Sequence, residues 1–439
     1  MIETKFKKSE VGMIPEDWEV KSIGSLCKVN GRIGFRGYTK ADLVQNGMGA
    51  YTIGGKHITH NIIDLSDPEF ISWEKYYESP EIMVKKGDIV MAQRGTLGRA
   101  AYIEDEIGPA TINPSLVLLN RIKCNAKYMH LILSSERCSD AVIKSGSQTS
   151  VPMISQTQIE KIELQMPPTI TEQSRIAEAL SDIDDLISTT KKLIEKKQNI
   201  KEGAMQDLLS GKRRIKKFET DKKLKQTPIG FIPYNWEIDK IGEQFEFLPN
   251  NTLPREEMSD NGVVQNIHYG DVLIKFGSIV DVQKDDVPYI SNPNFKPNYL
   301  IKDGDVIIAD TAEDETVGKA TEITNVADYK IVSGLHTMWL HPINKGRYGL
   351  GFLGYAFNAR IYHNQLLPLM QGTKVTSISK TAIRGTYLVV PPKPEQEAIV
   401  STLSAMDEEI QSLEARLTKF QSLKQGMMQQ LLTGKIRLI

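Results

Sequence analysis

The sequence predicts an α/β (α+β) protein with two pseudo-symmetric globular domains, separated by two long helices that pack as an antiparallel coiled coil. Three observations predict this fold. A set of short motifs occurs twice, in the same order, along the 439 residues. Each copy ends in a long helix whose apolar residues follow a four-three step, which is typical of a coiled coil. The segments between the motifs differ, so one frame carries two different surfaces.

Each copy opens on the pattern Ile-Pro-x-x-Trp-Glu, at residues 14–19 and again at 232–237. A Gly-Asp turn before a run of apolar residues follows in both copies, at 86–92 and at 303–309. This combination predicts a tight turn that leads into a buried strand. Both strands are followed by polar, turn-rich segments, where we expect exposed loops.

The segments between these motifs have diverged to different degrees. Residues 147–155 line up with 372–379, whereas 51–60 have no recognisable counterpart near 264–274. A protein that reads two unlike DNA half-sites needs such divergence, because a few loop or helix side chains make the contacts to base edges. Neutral drift of an old duplication is the alternative explanation.

The two long helices have clear starts and ends. Each follows a Pro-Pro pair that stops a strand, and Gly211 and Gly434 stand where a left-handed C-terminal cap is expected. The seam of the first helix consists of Ile176, Leu180, Ile183, Ile187, Thr190, Ile194, Lys197, Lys201, Ala204 and Leu208, supplemented by Leu186, Leu193 and Ile200. The seam of the second consists of Ile399, Leu403, Met406, Ile410, Leu413, Leu417, Phe420, Met427 and Leu431, with Lys424 as its polar member. Because amphipathic helices of this length need a partner, we expect them to pair with each other.

These signals divide the chain into a globular domain at 1–168, a long helix at 169–212, a basic linker at 213–232, a second globular domain at 233–392 and a second long helix at 393–439. The basic run at residues 212–225 predicts a solvated linker, with phosphate contact as the alternative. Two copies on one chain give internal pseudo-twofold symmetry, which is also the symmetry of duplex DNA. Two halves can therefore read two half-sites.

The composition is ordinary for a globular protein, with 25% charged and 40% hydrophobic residues. The N-terminus is charged and no long apolar run occurs, so we expect a cytoplasmic protein. A net charge of −1 argues against a nonspecific polycation but neither proves nor excludes DNA binding. Cys27, Cys124 and Cys138 are odd in number and lack Cys-x-x-Cys spacing, which predicts reduced thiols.

The sequence lacks the usual signatures of catalysis. No glycine-rich nucleotide-binding loop follows a strand. Residues 292–295 read Asn-Pro-Asn-Phe, which resembles the Asn-Pro-Pro-Phe motif of adenine-N6 methyltransferases but lacks its second proline, so we interpret it as a turn. His57 and His60 have no evident third ligand for a metal. We therefore expect a binding subunit without metal and without catalysis of its own.

Taken together, the repeated motifs resemble the specificity subunit of type I restriction-modification systems, over nearly the whole chain. The resemblance implies a non-catalytic chain with two target-recognition domains, which chooses an asymmetric bipartite site in double-stranded DNA. It implies that the helices dock two modification (methyltransferase) subunits, which bind S-adenosylmethionine and methylate adenine. It also implies restriction subunits that use ATP and Mg to translocate and cut DNA, no cofactor on this chain and no membrane partner.

Base-reading residues cannot be transferred from this family by motif, so the candidates are chosen for loop position, charge and hydrogen-bonding capacity. In the first half they are Lys56, His57, Arg94, Thr96, Arg99, Ser147, Gln148 and Thr149. In the second half they are His268, Thr311, Lys319, His336, Gln371, Thr373 and Lys374. Four nearby carboxylates, which would repel phosphate, are Asp310, Glu313, Asp314 and Glu315. Two alternatives stay open, namely an assembly scaffold that binds no DNA and a self-contained methyltransferase.

Overall fold

The structure is a computed structural model, and it describes residues 5–32, 34–147, 150–219, 223–372 and 374–439. The chain forms two compact units. Unit 1 comprises Met1–Lys191 and Arg416–Ile439, and unit 2 comprises Lys192–Ala415. Each unit therefore contains one globular domain and part of both long helices. None of the helices in the described part of the chain combines the length and apolar content that a membrane span requires.

Unit 1 is built on an antiparallel four-stranded main sheet, in the order Ala100–Tyr102, Ile89–Ala92, Leu116–Asn120, Lys28–Gly31. A second sheet has the order Ala110–Ile112, Gly49–Ile53, Phe70–Ser72, Leu43–Val44, and its first two strands are parallel. Three strand pairs are Phe6–Ser9 with Gly12–Pro15, Glu19–Ser22 with Glu163–Met166, and Ile58–Thr59 with Ile62–Ile63. The short helices are Ile23–Leu26, Trp73–Tyr77, Ala126–Leu133, Glu136–Ser145 and Gln156–Glu160. Strand Ile89–Ala92, predicted from the Gly-Asp turn, is buried throughout.

Unit 2 repeats this plan. Its main sheet has the order Phe245–Leu248, Thr337–Pro342, Val306–Ala309, Ala320–Thr324, Ile279–Asp281. Its second sheet has the order Met258–Ser259, Tyr289–Ile290, Gln265–Ile267, Ile331–Ser333, with the last two strands parallel. Three strand pairs are Leu224–Thr227 with Gly230–Pro233, Glu237–Lys240 with Tyr387–Val390, and Thr311–Ala312 with Thr376–Ser377. The short helices are Ile241–Gln244, Phe352–Asn358, Arg360–Leu366 and Lys380–Arg384, and Asp271–Lys275 is a π-helix.

The long helices span Ile170–Ser210 and Lys393–Leu431. In unit 1, the beginning of the first helix packs with the end of the second, since Ile176 and Leu431 belong to one core. In unit 2, the end of the first helix packs with the beginning of the second, since Leu208 and Leu403 share a core. Each unit thus shows the same direction of pairing, and the predicted antiparallel coiled coil is confirmed.

The seam of the first helix is more polar, and its lysines are accommodated because they form ion pairs with carboxylates of the second helix. In unit 2, Lys197 lies 2.6 Å from Glu409, and Lys201 forms an ion pair with Asp407. In unit 1, Lys424 of the second helix lies 2.6 Å from an aspartate of the first, Asp184. The predicted seam residues are buried or half-buried. The supplementary positions are a correction, since Leu186, Leu193 and Ile200 are 44%, 38% and 47% exposed and lie outside the seam.

The repeated motifs meet in each unit. In unit 2, the Arg214 guanidinium donates to both Glu395 carboxylate oxygens, at 2.8 and 2.6 Å, and the Trp236 indole donates to the same carboxylate at 2.9 Å. We call these three residues the second junction cluster. They come from the segment after the first long helix, the start of the second long helix and the opening motif of the domain. The motifs are therefore structural, because they fix the domain to the helices.

The first junction cluster in unit 1 consists of Trp18, Glu172 and Arg437. The Arg437 guanidinium donates to Glu172 at 2.5 and 2.8 Å, and also to both carboxylate oxygens of Asp17 at 2.8 Å. These hydrogen bonds lower the pKa of the Asp17 carboxyl. The Trp18 indole nitrogen has no hydrogen-bond partner among the described residues, which distinguishes this cluster from the second.

The predicted basic linker at 213–232 is partly folded. Its last part belongs to the hairpin of strands Leu224–Thr227 and Gly230–Pro233, which matches the hairpin at the beginning of unit 1. Arg214 is also not solvated, because its side chain is 6% exposed. The interpretation of the whole run as a solvated linker is therefore wrong at these positions, since a buried carboxylate and a β-ladder hold them.

Two glycines, Gly203 inside the first long helix and Gly211 directly after it, are expected to respond oppositely to alanine. Gly211 has a φ of +73°, and an added Cβ would lie 2.4 Å from the Pro233 side chain, so Gly211→Ala should cost about 1–3 kcal/mol of stability. Gly203 is exposed inside the helix with no atom near an added Cβ, so Gly203→Ala should stabilise by about 1 kcal/mol. Urea unfolding measures both, and equal effects would contradict the capping role of Gly211.

Candidate nucleic-acid interface

Four loops of unit 1 meet beyond one end of its main sheet, and together we call their described residues the first loop cluster: residues 54–57, 93–99, 113–115, 147 and 150–154. The Ile154 amide donates to the Gln93 carbonyl at 2.9 Å. Ser115 accepts from the Arg94 amide at its carbonyl, at 3.2 Å, and from the Gly55 amide at its hydroxyl, at 3.3 Å. These bonds join loops that are far apart in sequence, so the cluster is one continuous surface.

Unit 2 has a corresponding second loop cluster: residues 268–275, 310–319, 334–336, 371–372 and 374–378. The Ile378 amide donates to the Asp310 carbonyl at 2.9 Å, and the Asp310 amide donates to the His336 carbonyl at 3.1 Å. The Tyr269 amide donates to the Leu335 carbonyl at 3.2 Å. The same four kinds of loop therefore meet in both units, at the same end of the main sheet.

The two clusters are equivalent in detail. The bond from Ile378 to Asp310 repeats the bond from Ile154 to Gln93, which supports the predicted alignment of 147–155 with 372–379. The loops after Ile53 and Ile267 also correspond, since each carbonyl accepts a 2.8 Å hydrogen bond from the loop after the parallel strand. Residues 51–60 and 264–274 are thus counterparts. Sequence comparison missed this pair because the loop residues share no identity, although each loop follows a strand that ends in a buried isoleucine.

Three candidates of the first half form an exposed polar group. Arg94, Thr96 and Arg99 lie in the loop after strand Ile89–Ala92, and all three are exposed. Arg94 also forms an isolated antiparallel bridge with Met153, which brings it beside the fourth loop. Neither arginine forms an ion pair with any residue that the structure describes. Their guanidinium groups are therefore available to an anionic or hydrogen-bonding ligand.

Lys56 and His57 lie side by side but differ in accessibility. Lys56 is exposed, with its ammonium 2.7 Å from Asp67 and 3.0 Å from Glu69. His57 is 2% exposed. Its Nδ1 accepts from the Gly54 amide at 2.9 Å, and its Nε2 lies 3.0 Å from the Asp67 carbonyl. The choice of His57 as a DNA-contacting residue is therefore wrong, because both ring nitrogens are used to shape the loop.

The remaining candidates of the first half lie in the fourth loop. Ser147 is exposed, and its hydroxyl accepts from the Met153 amide at 3.2 Å, which closes the loop on itself. Gln148 and Thr149 lie outside the described residues, as does Thr373 of the second half. The described part of this loop thus stands next to Arg94.

In the second half, four candidates lie on one surface. The Thr311 hydroxyl donates to the Asp310 carboxylate at 2.8 Å, and the exposed His336 lies 3.4 Å from the same carboxylate. Gln371 and Lys374 are exposed in the fourth loop, where the Gln371 backbone pairs with Ser377. The surface of this half therefore carries both basic and acidic groups.

His268 and Lys319 are less accessible than predicted. His268 is 7% exposed, and burial lowers the pKa of its imidazole, so the ring is neutral at pH 7. Lys319 is half-buried and donates to the Leu273 carbonyl at 2.8 Å, and burial lowers its pKa. The His268 Nδ1 accepts from the Gly270 amide at 3.3 Å within its own loop, whereas Lys319 holds that loop from a distant position in the sequence, which local sequence does not reveal.

One of the acidic residues of the second loop cluster accepts hydrogen bonds within the cluster, and others are exposed. Asp314 accepts from the Thr316 amide at 2.9 Å and from its hydroxyl at 2.5 Å, which lowers the pKa of the Asp314 carboxyl. Glu313 and Glu315 are exposed. This surface is therefore less basic than the first, and the two clusters differ in charge as well as in sequence.

Other chemistry has little support in the part of the chain that the structure describes. No group of three or more His, Cys, Asp and Glu side chains there is arranged to hold a metal ion. All three cysteines are free, and burial raises the pKa of the Cys124 and Cys138 thiols to about 11. These thiols are thus protonated at neutral pH and poorly nucleophilic.

Comparisons with known proteins agree with this architecture. The family model described as "Type I restriction modification DNA specificity domain" matches residues 15–198 and 233–420. The chain is 26% identical over 448 residues to the MjaX type I restriction enzyme specificity subunit of Methanocaldococcus jannaschii, covering 99% of this chain and 97% of the relative. It is 25% identical over 443 residues to the MjaVIII specificity subunit of the same organism, covering 99% and 96%.

Solved structures share the fold. The type I restriction-modification S subunit from M. genitalium matches with a TM-score of 0.54 at 14% identity, covering 94% of this chain and 96% of that chain. A chain from a study of complex assembly and conformational transition of the type I R-M system matches with a TM-score of 0.56 at 15% identity, covering 96% and 99%. At these identities the likeness concerns the fold alone.

Proposed function

The chain belongs to the type I restriction-modification DNA specificity family, and from this premise we propose that each unit reads one half of a bipartite duplex DNA target through its own loop cluster. The chain is a specificity subunit and is not itself an enzyme. The observation that carries the proposal is that two equivalent loop clusters, held by the same hydrogen bonds, carry different side chains. Such a pair suits two unlike half-sites, since base edges are distinguished by a few hydrogen-bonding side chains.

In this proposal the recognition domains are residues 1–168 and 233–392. The readers and phosphate contacts of the first half are Lys56, Arg94, Thr96, Arg99 and Ser147. Those of the second half are Thr311, His336, Gln371 and Lys374, with His268 and Lys319 positioning the loops. Exposed arginines suit bidentate contacts to guanine or to phosphate, and amide or hydroxyl groups suit adenine and other base edges. Gln148, Thr149 and Thr373, which lie outside the described residues, are also proposed to contact DNA.

We further propose that the paired helices dock two modification subunits. S-adenosylmethionine would bind to the modification subunits, whereas ATP and Mg would serve restriction subunits of the same complex. The net charge of −1 supports the proposal that this chain works with partner subunits, because such a chain gains little nonspecific affinity for DNA by itself. A scaffold that binds no DNA is not favoured, since the chain falls within a DNA specificity family.

Replacing Arg94 with alanine tests the proposal. In the complex with modification subunits, we expect Arg94→Ala to weaken binding roughly fivefold to 150-fold and to relax recognition at one half-site, because a bidentate base contact is worth about 1–3 kcal/mol. Fluorescence anisotropy on duplexes altered in one half at a time measures this, after methylome sequencing has given the target.

Arg121→Ala is the matched control. Arg121 is exposed in the same unit, but it follows strand Leu116–Asn120 at the end opposite to Ser115. The control variant should bind nearly as well as the unaltered chain. If Arg94→Ala affects both half-sites equally, or affects neither, the first loop cluster does not read one half of the target.

A further inference from the structure

Ile274 is an unusual residue of unit 2. It is 89% exposed, more than any other large apolar side chain in the described part of the chain. It lies in the π-helix Asp271–Lys275, where the Phe276 amide donates to the Asp271 carbonyl at 2.8 Å. π-helical turns are rare and are frequent at functional sites. A largely solvated isoleucine on such a turn contributes little to folding, which points to a contact with a partner.

The turn that carries Ile274 is held firmly. Val272 and Phe276, on either side, are 0% and 5% exposed in the core of the unit. The Asp271 carboxylate accepts from Arg255 at 2.8 Å and from the His268 amide at 3.2 Å. Ile274 is therefore presented on an ordered support, and a contact made by its side chain would cost little conformational entropy.

The turn belongs to the surface that the second loop cluster forms. The Lys319 ammonium, in the loop after strand Val306–Ala309, donates to the Leu273 carbonyl next to Ile274, at 2.8 Å. At the other side of the turn, the ring of Tyr269 lies 5.4 Å from the ring of the exposed His336. Ile274 thus adjoins the residues proposed to face DNA, at the border of the same surface.

Major-groove base edges offer hydrogen-bond donors and acceptors, and their apolar feature is the 5-methyl group of thymine. An ordered apolar side chain among polar readers matches that group. We propose that Ile274 contacts the 5-methyl group of a thymine in the half-site that unit 2 reads, which makes it a specificity-determining residue. This inference rests on the proposed function, since it assumes that the second loop cluster faces base edges.

The inference is specific to one half of the target. When the equivalent residues Ile53 and Ile267 are aligned, His60 of unit 1 aligns with Ile274 of unit 2. His60 is a polar residue with a φ of +51°, at the tip of the hairpin formed by Ile58–Thr59 and Ile62–Ile63. The position of unit 1 that is equivalent to Ile274 therefore carries no isoleucine, and the half-site that unit 1 reads should lack this contact.

The test uses the chain in complex with its modification subunits and duplexes in which one thymine at a time is replaced by deoxyuridine, which lacks the methyl group. For the unaltered chain, one replacement in the second half-site should weaken binding about fourfold, the value of one buried methylene-sized group. Ile274→Ala should weaken binding to the natural duplex by a similar factor and should no longer respond to that same replacement.

Ile343→Ala is the matched control. Ile343 is 66% exposed in the same unit but follows strand Thr337–Pro342, at the end opposite to His336. It should leave both the affinity and the response to deoxyuridine unchanged. Because Ile274 and Ile343 are both largely exposed, neither variant should lose stability, which thermal unfolding verifies.

Several results would overturn the contact. If Ile274→Ala still responds to the same deoxyuridine, or if no replacement in the second half-site matters, Ile274 does not touch a thymine methyl. If Ile274→Ala instead weakens assembly with the modification subunits and leaves DNA affinity unchanged, the residue serves a protein partner. If the unaltered complex prefers no half-site at all, the proposed function itself fails, and this result is distinguishable because it does not depend on residue 274.

Discussion

Replacing Arg214 with alanine is expected to lower the free energy of unfolding of unit 2 by about 3–5 kcal/mol, because it leaves a buried carboxylate without its counter-ion. The Arg214 and Glu395 side chains are 6% and 1% exposed. After the substitution, the described partner left to Glu395 in the second junction cluster is the indole of Trp236, at 2.9 Å. Urea unfolding followed by tryptophan fluorescence measures the loss, since Trp236 reports on the site itself.

Arg213→Ala is the matched control for this prediction. Arg213 stands next in the chain and is exposed, so its removal should change stability by less than about 0.5 kcal/mol. A second variant, Glu395→Gln, keeps the size of the buried side chain and should lose much of the same stability, because the ion pair is removed from the other side. If Arg214→Ala were as stable as Arg213→Ala, the junction cluster would not hold unit 2 together.

A chain in which residues 233–392 are replaced by a second copy of 15–168 is expected to recognise two copies of the first half-site. Its affinity for a target that contains the original second half-site should fall by more than about a thousandfold, since each mismatched base pair costs about 1–3 kcal/mol and these costs add. The exchange should preserve the frame because the residues at both ends of the replaced segment are repeated. Trp18 takes the place of Trp236, and Glu395 lies outside the exchanged segment, so Arg214 keeps its carboxylate partner.

The glutamines after these glutamates support the same exchange. Gln173 accepts from the Asn125 amide and donates to the Pro167 carbonyl, at 2.9 and 3.0 Å. Gln396 makes the corresponding bonds to Gly349 and Pro391, both at 2.8 Å. Each glutamine thus fixes a domain to the start of its long helix in the same way.

Methylome sequencing of cells that express the exchanged chain with its modification subunits gives the new target. The reciprocal chain, with 233–392 in place of 15–168, serves as control and should recognise two copies of the second half-site. A target that keeps one copy of each half-site in either chain would contradict the assignment of one domain to one half.

Much of the frame could be predicted from the sequence, because it is written in local signals. The sequence predicts long helices at 169–212 and 393–439, and the helices run from Ile170 to Ser210 and from Lys393 to Leu431. Pro-Pro pairs and left-handed glycines are strong local signals for helix ends. The exposure of Leu186, Leu193 and Ile200 could not be predicted, since apolarity alone does not tell which side of a helix faces its partner.

The surfaces could be predicted less well, because burial in loops depends on distant residues. His57 and His268 stand in polar segments, yet both are buried by loops from elsewhere in their units. The partner of Arg214 is 181 positions away, so no local pattern identifies it. The π-helix around Ile274 is likewise fixed by Arg255 and Lys319, which lie outside it.

The division of the chain also has a consequence for synthesis on the ribosome. Unit 2 is a continuous stretch, Lys192–Ala415, whereas unit 1 needs Arg416–Ile439 to complete its core and to supply Arg437. At a synthesis rate of about 5–20 residues per second, the ribosome needs roughly 10–45 s to translate unit 2. Only then does it reach the C-terminal segment that completes the core of unit 1. The first domain to emerge is thus the last to be completed, and until then its apolar surface around Ile176 and Leu180 stays open to chaperones.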